Sequence, residues 1–449
     1  MRVMLVYSNR TRLMEPAPPI GLSYVATAAR QAGHDVRFVD LMMSREPLAD
    51  LRAARVVLGG PAASILGAKA LERLDADFVV VGEGETAFPR LLSALAGRGD
   101  FAGIDGLCFR AGEKIISTPP VRHETFGRSG MEQWIRWRSY ERAGGTWAVH
   151  TKRGCPLECL YCNYPVMEGR RLRCRDAADV VDEIEHVHRT VGPRTFEFTD
   201  STFNVPESHA IGICEEVIRR KLRVNLSAAG LNPLAASEKL FTLMRQAGFC
   251  SMNITPDAGS ETMLRSLRKG FDVETVRRTA ELARASGIRC TWFFLLGGPG
   301  ETRATVEETV SLVEANLNWK KFLTIFMTGI RILPGTDLAR RAVAEKYLAA
   351  DHDLSEPVFY FAPELDEQWV LDRINRAIAR CPTIVHGAEQ KGSPLTRAFE
   401  SALYWLGTAP PFYRFLPDLL RCPPLPALRA RHTGVKAAVR AVRGMSAQN

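Results

Sequence analysis

The fold of this chain is constrained most strongly by strand-like and helix-like segments that alternate from residue 146 to residue 345. The helix-like segments repeat apolar residues at helical spacing, as in the stripe of Val180, Val181, Ile184 and Val187. Strands that alternate with helices predict a parallel sheet covered by helices. The predicted strands are Trp147–Thr151, Thr195–Thr199, Arg223–Ala228, Ser251–Thr255, Arg289–Leu296 and Leu323–Ile332.

A smaller α/β domain is predicted for residues 1–115, where strands again alternate with helices. Its predicted elements are strand Val3–Tyr7, helix Gly21–Gly33 and strands Asp35–Asp40, Arg55–Leu58 and Asp77–Val81. This order indicates a doubly wound, Rossmann-like parallel sheet. Only Leu41–Ala54 separates the second strand from the third, which is too short for another strand–helix unit with its connections. We therefore expect a shortened sheet.

The remaining residues are predicted to form a linker and a helical region. Residues 116–145 are polar and rich in arginine, which is typical of a connection. Residues 346–449 contain two helical patterns, Asp366–Arg380 and Ser393–Leu406. The aromatic residues around Tyr404 and Phe412 could line a substrate pocket or touch a membrane surface, but a helical cap on the larger domain is the favoured interpretation.

The composition is that of a soluble protein with two or three domains. The chain has 449 residues, 46% of them hydrophobic and 24% charged, and this length exceeds what one core usually supports. It starts with the strand-like segment Arg2–Tyr7 rather than an apolar signal segment, and no apolar run has the length of a membrane span. We therefore expect a cytoplasmic protein whose ten cysteines form no disulfide framework.

The net charge of +9 is a weak indication of a nucleic-acid partner. Much of the excess lies near the C-terminus, at Arg421, Arg429, Arg431, Lys436, Arg440 and Arg443. Such a patch could contact nucleic acid or an acidic partner. Because no RNA-binding module accompanies it, a solvated basic helix is favoured, and neither nucleic acid nor a membrane is an expected partner.

Three cysteines stand in one short segment directly after the first strand of the larger domain. Cys155 and Cys159 are separated by three residues, and Cys159 and Cys162 by two. This spacing supplies three thiolates to a [4Fe–4S] cluster and leaves its fourth iron open for a small molecule. A zinc site with Cys174 as the fourth ligand, or a set of structural cysteines, are the alternatives. The other cysteines show no second cluster spacing.

The segment Arg153–Cys162, with Tyr161 before its last cysteine, resembles the cluster loop of the radical S-adenosylmethionine (SAM) enzymes. The resemblance covers residues 145–340 well and residues 1–110 partly. It implies a partial (β/α)6 barrel of TIM type with ligands at the carboxyl ends of its strands. It also implies that SAM chelates the open iron and that Tyr161 lies on the adenine side. An electron from a donor such as flavodoxin or ferredoxin would then cleave SAM, and the resulting 5′-deoxyadenosyl radical would take hydrogen from a small-molecule substrate.

Polar residues at the predicted strand ends are the candidate SAM and substrate contacts. Thr199 and Asp200 end the second strand, where Asp200 could bind the SAM ammonium or a substrate hydroxyl, or cap the following turn. Asp257 and Ser260 follow the fourth strand, where the family usually has Glu-Ser-Gly-Ser. The shorter Asp257 carboxylate can still accept from two ribose hydroxyls. Lys269 follows in a phrase that is also typical of the family.

The fifth and sixth strands end in turns that resemble those of the same family. Gly297, Gly298, Gly300 and Glu301 belong to a phrase that the resemblance places beside the adenine of SAM. Glycine permits tight turning and a close approach of the backbone to a ligand. Arg331 at the end of the sixth strand could meet the SAM carboxylate or the substrate, or could pair with an acid of the barrel.

Two phrases of the first domain resemble the cobalamin-binding domain that precedes many radical SAM barrels. They are Gly59-Gly60-Pro61 and Gly82-Glu83-Gly84-Glu85. The shortened sheet departs from that family, as does the lack of an Asp-x-His-x-x-Gly run, which would supply a lower-ligand histidine. Cobalamin binding stays open, but a degenerate scaffold that shapes the substrate entrance is favoured.

Two reactions remain open on the sequence alone. Without cobalamin, the favoured reaction is a radical dehydration of a natural product such as an aminoglycoside, as in radical diol dehydratases of antibiotic biosynthesis, with Asp200 as acid or base near the sugar. With cobalamin, C-methylation of a natural product is the alternative. The non-enzyme alternative is a zinc-dependent scaffold or nucleic-acid-binding protein, against which the ligand-type strand ends argue.

Overall fold

The computed structural model describes residues 1–9, 16–43, 55–352, 354, 356–387 and 394–421. Most of the short segment Leu41–Ala54 and the basic residues after Arg421 lie outside these ranges. The strands are β1 Arg2–Tyr7, β2 Asp35–Asp40, β3 Val57–Leu58, β4 Phe78–Val80, β5 Leu107–Ala111, β6 Lys114–Ser117, β7 Trp147–Val149, β8 Lys152–Arg153, β9 Arg173–Cys174, β10 Phe196–Phe198, β11 Leu226–Leu231, β12 Phe249–Asp257, β13 Arg289–Leu296, β14 Phe322–Thr328, β15 Ile330–Ile332, β16 Val358–Tyr360 and β17 Ile384–His386. The α-helices are α1 Ile20–Gln31, α2 Pro61–Leu66, α3 Ala68–Arg73, α4 Gly84–Ser93, α5 Trp137–Arg142, α6 Tyr164–Glu168, α7 Ala177–Thr190, α8 Glu207–Arg219, α9 Glu238–Gln246, α10 Glu261–Ser266, α11 Val273–Ser286, α12 Arg303–Asn316, α13 Asp337–Ala344, α14 Glu367–Arg380, α15 Pro394–Trp405 and α16 Leu416–Arg421.

The larger domain is built on seven parallel strands in the order β17-β14-β13-β12-β11-β10-β7. All six predicted strands are present, which confirms the α/β class, and β17 is a seventh that the sequence analysis missed. The predicted sixth strand is two strands, because Gly329 turns the chain at a φ of 76°. Beyond it, β15 leaves the sheet and pairs antiparallel with β16.

The two faces of the barrel sheet differ in polarity. Alternate residues such as Trp147 and Phe198 are buried against the surrounding helices in the main hydrophobic core, and each contributes about 1.5–3 kcal/mol by leaving water. The opposite, inner face carries a chain of polar groups. Thr146 Oγ1 donates to Glu197 at 2.7 Å, and the Ser227 hydroxyl contacts Glu197 and lies 2.9 Å from the Ser251 hydroxyl. The interior of the barrel is therefore polar.

The predicted strands of the first domain are parallel, but among the described residues they lie in two sheets rather than in the single doubly wound sheet that was predicted. β1 pairs with β2 across the crossover helix α1, and β3 pairs with β4 in parallel. The hairpin β5–β6 extends the second pair in the antiparallel sense and was not predicted. Leu5 and Phe78, from the two sheets, belong to one hydrophobic cluster. The two sheets therefore share a core.

The C-terminal region packs on the barrel at the amino ends of its strands. Thr195 Oγ1 donates to the Pro410 carbonyl at 2.6 Å, and the Tyr413 hydroxyl donates to Asn253 Oδ1 at 3.1 Å. Phe412 is buried beneath Gly144. The predicted cap therefore closes the end opposite the cysteine loop. Among the described residues, no helix is long and apolar enough to cross a membrane.

Candidate active site

The loop that carries the three cysteines is fixed to the barrel by backbone hydrogen bonds. The Leu160 amide donates to Leu267 O at 3.1 Å, and the Leu338 amide donates to Leu160 O at 2.9 Å. Gly154 has a φ of 90°, and a Cβ atom there would lie 2.1 Å from the Arg171 carbonyl oxygen, so only glycine fits. The loop is therefore rigidly placed at the carboxyl ends of β7 and β10.

The three thiols lie close enough to influence one another. Burial raises the pKa of Cys162 to about 11, and the neighbouring Cys159 and Cys155 contribute in the same direction. Burial likewise raises the pKa of Cys159, which the buried Lys269 ammonium opposes. Cluster iron binds thiolates and releases their protons, and a fixed cation beside them offsets their charge. This donor set therefore fits a [4Fe–4S] cluster.

Cys174, the fourth ligand in the zinc alternative, has different surroundings. It is exposed on β9, and its charged neighbours are Lys152 and Asp200 rather than the three loop cysteines. Within the described ranges, no group of three or more His, Cys, Asp or Glu side chains is arranged to hold a single metal ion. The position of Cys174 gives no support to a four-cysteine zinc site.

Two glutamates of the first domain hold the arginines that flank the cysteine loop. Arg153 forms ion pairs with Glu85 and, at 3.4 Å, with Glu83. Arg173, on the strand that pairs with Arg153, forms an ion pair with Glu83. We call these four residues the interdomain clamp. The sequence analysis noted the two glutamates only through the resemblance to a cobalamin-binding domain. It named Arg153 only as the first residue of the cysteine segment and did not identify Arg173.

The clamp is buried, so its ion pairs are poorly screened by solvent. The side chains of Arg173 and Glu83 are 3% and 10% exposed. The Arg153 guanidinium also lies between two rings, 4.9 Å from the centre of Tyr24 and 4.3 Å from that of Phe126. Because Arg153 stands two residues before Cys155, the first domain fixes the start of the cysteine loop.

Neutralising one acid of the clamp should destabilise the protein and its loop together. We expect Glu83→Gln to lower the free energy of unfolding by about 3 kcal/mol, because it leaves Arg173 buried without its charge partner. Iron bound after reconstitution should fall with it. Urea unfolding and iron analysis measure both quantities. Glu113→Gln removes an equal charge from the exposed β5–β6 turn and is the control; equal behaviour of the two variants would contradict the role of the clamp.

Tyr161, Asp257 and Lys269 form one buried group beside the cysteines. The Tyr161 hydroxyl donates to Asp257 Oδ2, and Lys269 Nζ lies 2.5 Å from the same oxygen. Asp257 ends β12 at a φ of 65°, an uncommon conformation for a residue with a side chain. The structure thus brings together Tyr161 and Asp257, both predicted from the sequence, and gives Asp257 a lysine partner. Ribose binding by Asp257 stays a prediction.

Three predicted SAM contacts have buried polar atoms that lack a partner. These atoms are Thr199 Oγ1, Ser260 Oγ and Glu301 Oε1. Buried polar groups are nearly always hydrogen-bonded in a finished protein, so these atoms fit a site that is completed by a polar cofactor. Burial raises the pKa of Glu301 to about 7.

The glycine turn after β13 has mainly a packing role. Glu301 Oε2 accepts from the Gly297 amide at 2.5 Å and from the Gly298 amide at 2.9 Å. A Cβ atom on Gly297 would lie 2.4 Å from the Phe361 ring, whereas one on Gly300 would meet no atom within 4 Å. Gly297 therefore requires glycine for packing, the amides of Gly297 and Gly298 hold the Glu301 carboxyl group, and the space beside Gly300 is open.

Arg331 is not among the buried groups of the site. It is exposed on β15, in the ribbon with β16 that lies outside the barrel sheet. The described part of the chain gives it no acidic partner, so the alternative of pairing with a barrel acid is not observed among these residues. A contact of Arg331 with SAM or substrate stays a prediction.

Asp200 is fully engaged with the residues that enter the cysteine loop. Its Oδ1 accepts from the Thr151 amide at 2.7 Å and the Lys152 amide at 3.1 Å, and its Oδ2 accepts from Thr151 Oγ1 at 2.6 Å. The buried Lys152 ammonium lies 3.6 Å from Oδ2. These contacts favour a positioning role over the predicted acid–base role. Lys152 was missed, although its place beside the cysteines could have indicated it.

A cavity of about 200 Å³ opens inside the barrel next to this site. One wall is the segment Pro16–Ile20 of the first domain, and the other consists of inward-facing residues of β7 and β10 and their ends. Those residues include His150, Glu197 and Thr199. The first domain therefore completes the wall of a barrel that its seven strands leave open.

Comparison with known proteins supports the sequence-based family resemblance. Residues 149–313 match the model of the radical SAM superfamily. The chain is 25% identical over 373 residues to an uncharacterized methyltransferase of Pyrococcus horikoshii, covering 74% of this chain and 80% of that protein. It is 30% identical over 224 residues to an anaerobic magnesium-protoporphyrin IX monomethyl ester cyclase of Synechocystis, covering 48% of this chain but only 44% of the cyclase.

A solved structure with a similar fold spans both domains. It is the radical SAM methyltransferase TsrM of Kitasatospora setae with cobalamin and a [4Fe–4S] cluster bound; the TM-score is 0.77 at 22% identity, covering 94% of this chain and 98% of that one. At this identity the likeness concerns the fold. The match to the family model and the cysteine loop identify residues 149–313 of this chain as a radical SAM domain.

Proposed function

We propose that this protein is a cobalamin-dependent radical SAM methyltransferase that methylates a carbon atom of a small molecule. This is the reaction that the sequence analysis kept as its alternative, and it replaces the favoured dehydration. The observation that carries the proposal is the position of the first domain, whose parallel strands end beside the cysteine loop. A cofactor at those strand ends and SAM on the cluster would then share one space.

The strand ends of the first domain offer an open edge toward the barrel. In open α/β sheets, ligands bind at the carboxyl ends of the strands. Gly60, after β3, has a φ of 89°, and a Cβ there would meet no atom within 4 Å. The next element, α2, packs against α6, the helix that follows the cysteines. The same side is tied down by Arg122, which donates to the Val166 carbonyl of α6 at 3.0 Å.

The comparisons with known proteins also favour methyl transfer. The likeness to TsrM covers 94% of this chain, including the first domain, and that structure contains cobalamin. The Pyrococcus relative is named as a methyltransferase. The shortened sheet therefore weighs less against cobalamin than the sequence alone suggested.

In the proposed reaction, the residues of this chain have the following roles. Cys155, Cys159 and Cys162 hold the cluster, which when bound supplies the open iron and the electron for SAM cleavage. Ser260 offers its unpartnered hydroxyl to SAM, whereas Thr199 lines the cavity inside the barrel. If the substrate hydrogen leaves as a proton, the methylation converts one SAM into S-adenosylhomocysteine. If the hydrogen is removed as an atom, the methylation consumes two SAM molecules and two electrons from the reductant, and it yields S-adenosylhomocysteine, methionine and 5′-deoxyadenosine.

The test is a cofactor and product analysis that needs no known substrate. The protein is reconstituted anaerobically with iron, sulfide and hydroxocobalamin, desalted, and mixed with SAM and a reductant. We expect the protein to retain cobalamin. We also expect about one equivalent of S-adenosylhomocysteine for each retained cobalamin, because one methyl group is transferred from SAM to each bound cobalamin. Absence of retained cobalamin, with 5′-deoxyadenosine as the nucleoside product, would overturn the proposal in favour of dehydration or rearrangement.

A further inference from the structure

The cavity inside the barrel contains a buried carboxyl group whose hydrogen-bond partners among the described residues are neutral. Glu197 is buried on β10, and its oxygens accept from Thr146 Oγ1 at 2.7 Å and Ser227 Oγ at 3.3 Å. Both partners are neutral hydroxyls. Among the described residues, no lysine, arginine or histidine forms an ion pair with Glu197. Burying a carboxylate without a cationic partner is costly, and burial accordingly raises the pKa of Glu197.

The other polar groups of the cavity carry no positive charge either. His150 lines it with the Nδ1 atom unpartnered, and burial lowers the pKa of this imidazole to about 4, so the ring is neutral at neutral pH. The ring stacks on Tyr24 with centres 5.9 Å apart. Thr199 adds a second unpartnered polar atom, and its amide bonds to Val149 O at 3.1 Å, which places it beside His150.

Thr199, His150 and Glu197 lie at different depths along the barrel axis. Thr199 and His150 lie at the carboxyl ends of the strands, next to the cysteine loop. Glu197 lies two residues earlier on β10, roughly 7 Å deeper at the usual strand rise. A molecule whose positive end reached Glu197 would therefore present its other end at the level of the cluster, where SAM is expected.

We propose that the cavity binds the protonated amine of the substrate, with Glu197 as its counter-ion, so that the methyl acceptor is a small molecule that carries an amino group. Glu197 supplies the charge, and Thr199 and His150 supply neutral hydrogen bonds along the skeleton. The segment Pro16–Ile20 gives the apolar wall. This inference names the substrate class of the proposed function. The methylation of the amine rests on that proposed function, whereas the binding of the amine does not.

Binding of matched probes tests the inference directly. Full-length reconstituted protein is titrated by calorimetry with benzylamine and with benzyl alcohol, which differ in the ammonium group. Wild type should bind the amine at least about tenfold more tightly, as expected for a hydrogen-bonded charge pair. Glu197→Gln should reduce that preference to about twofold or less, whereas Glu113→Gln, an exposed acid of the β5–β6 turn, should leave it unchanged.

The outcomes separate this inference from the proposed function. Equal binding of both probes to wild type, or no binding of either, overturns the amine site, and this measurement needs no variant to fold. A preference that survives in folded Glu197→Gln also overturns it. Amine binding that depends on Glu197, without S-adenosylhomocysteine formation, leaves the amine site in place and contradicts the methyltransferase. If the protein retains cobalamin and forms S-adenosylhomocysteine but does not prefer the amine, the methyltransferase is supported and the amine site is contradicted.

Discussion

Replacing any one of Cys155, Cys159 and Cys162 with alanine is expected to abolish the iron–sulfur cluster and every product of SAM cleavage. Three thiolates are the protein ligands of such a cluster, and the loop has no spare thiol to replace a lost one. Iron and acid-labile sulfide should fall to background, and the brown colour should disappear. 5′-Deoxyadenosine should become undetectable. Far-ultraviolet circular dichroism should stay close to that of wild type, because the loop backbone bonds do not involve the thiols.

Cys174→Ala is the matched control for these three variants. Cys174 is exposed on β9, and its charged neighbours are Lys152 and Asp200. This variant should therefore keep its iron, sulfide and colour. Zinc bound without sulfide, and lost when Cys174 is removed, would contradict the cluster and support the zinc site that the sequence left open.

The fold was predictable where a strand carries its own pattern. β13 has the predicted bounds, Arg289–Leu296, and β2 has the predicted bounds Asp35–Asp40. β17 was missed because Ile384–His386 is too short to show a period of two, and it is a strand only because β14 offers an edge to pair with. The break at Gly329 was missed because the apolar pattern continues across it while the pairing partner changes.

The site was predictable where its chemistry lies in one short segment. The cysteine spacing is local, so the loop could be identified without a structure. The clamp joins Glu85 to Arg153 and Glu83 to Arg173, pairs that are 68 and 90 residues apart. A charged residue does not show its distant partner in the sequence. The same limit applies to Glu197: that it has no cationic partner among the described residues is visible only once its neighbours are placed.

For Asp200, the position at a strand end was predicted from the sequence, but its contacts were not. The strand end next to the cysteines suggested an acid–base group. In the structure the carboxylate accepts from the backbone amides of Thr151 and Lys152, from the Thr151 hydroxyl, and lies near the Lys152 ammonium. A carboxylate with this many partners is held in place, and it holds in turn the strand that leads into the cysteine loop.

We therefore expect Asp200→Asn to act on stability and cluster loading rather than on proton transfer. Both side chains of the Lys152–Asp200 pair are fully buried, so the variant leaves an uncompensated ammonium and should cost about 3–5 kcal/mol of unfolding free energy. Urea unfolding measures this loss. Asp182→Asn, which removes an acid that is 63% exposed beside Arg220, should cost less than about 1 kcal/mol.

A second substitution distinguishes the positioning role from catalysis. Adding Lys152→Met to Asp200→Asn removes the stranded charge, and the double variant should be more stable than Asp200→Asn alone. It should also regain part of the lost iron. If Asp200→Asn instead kept wild-type stability and cluster content but lost turnover, with a changed pH profile, the carboxylate would be an acid or base after all. In that case the contacts with Thr151 and Lys152 would serve to aim a catalytic group, and not to hold the cysteine loop.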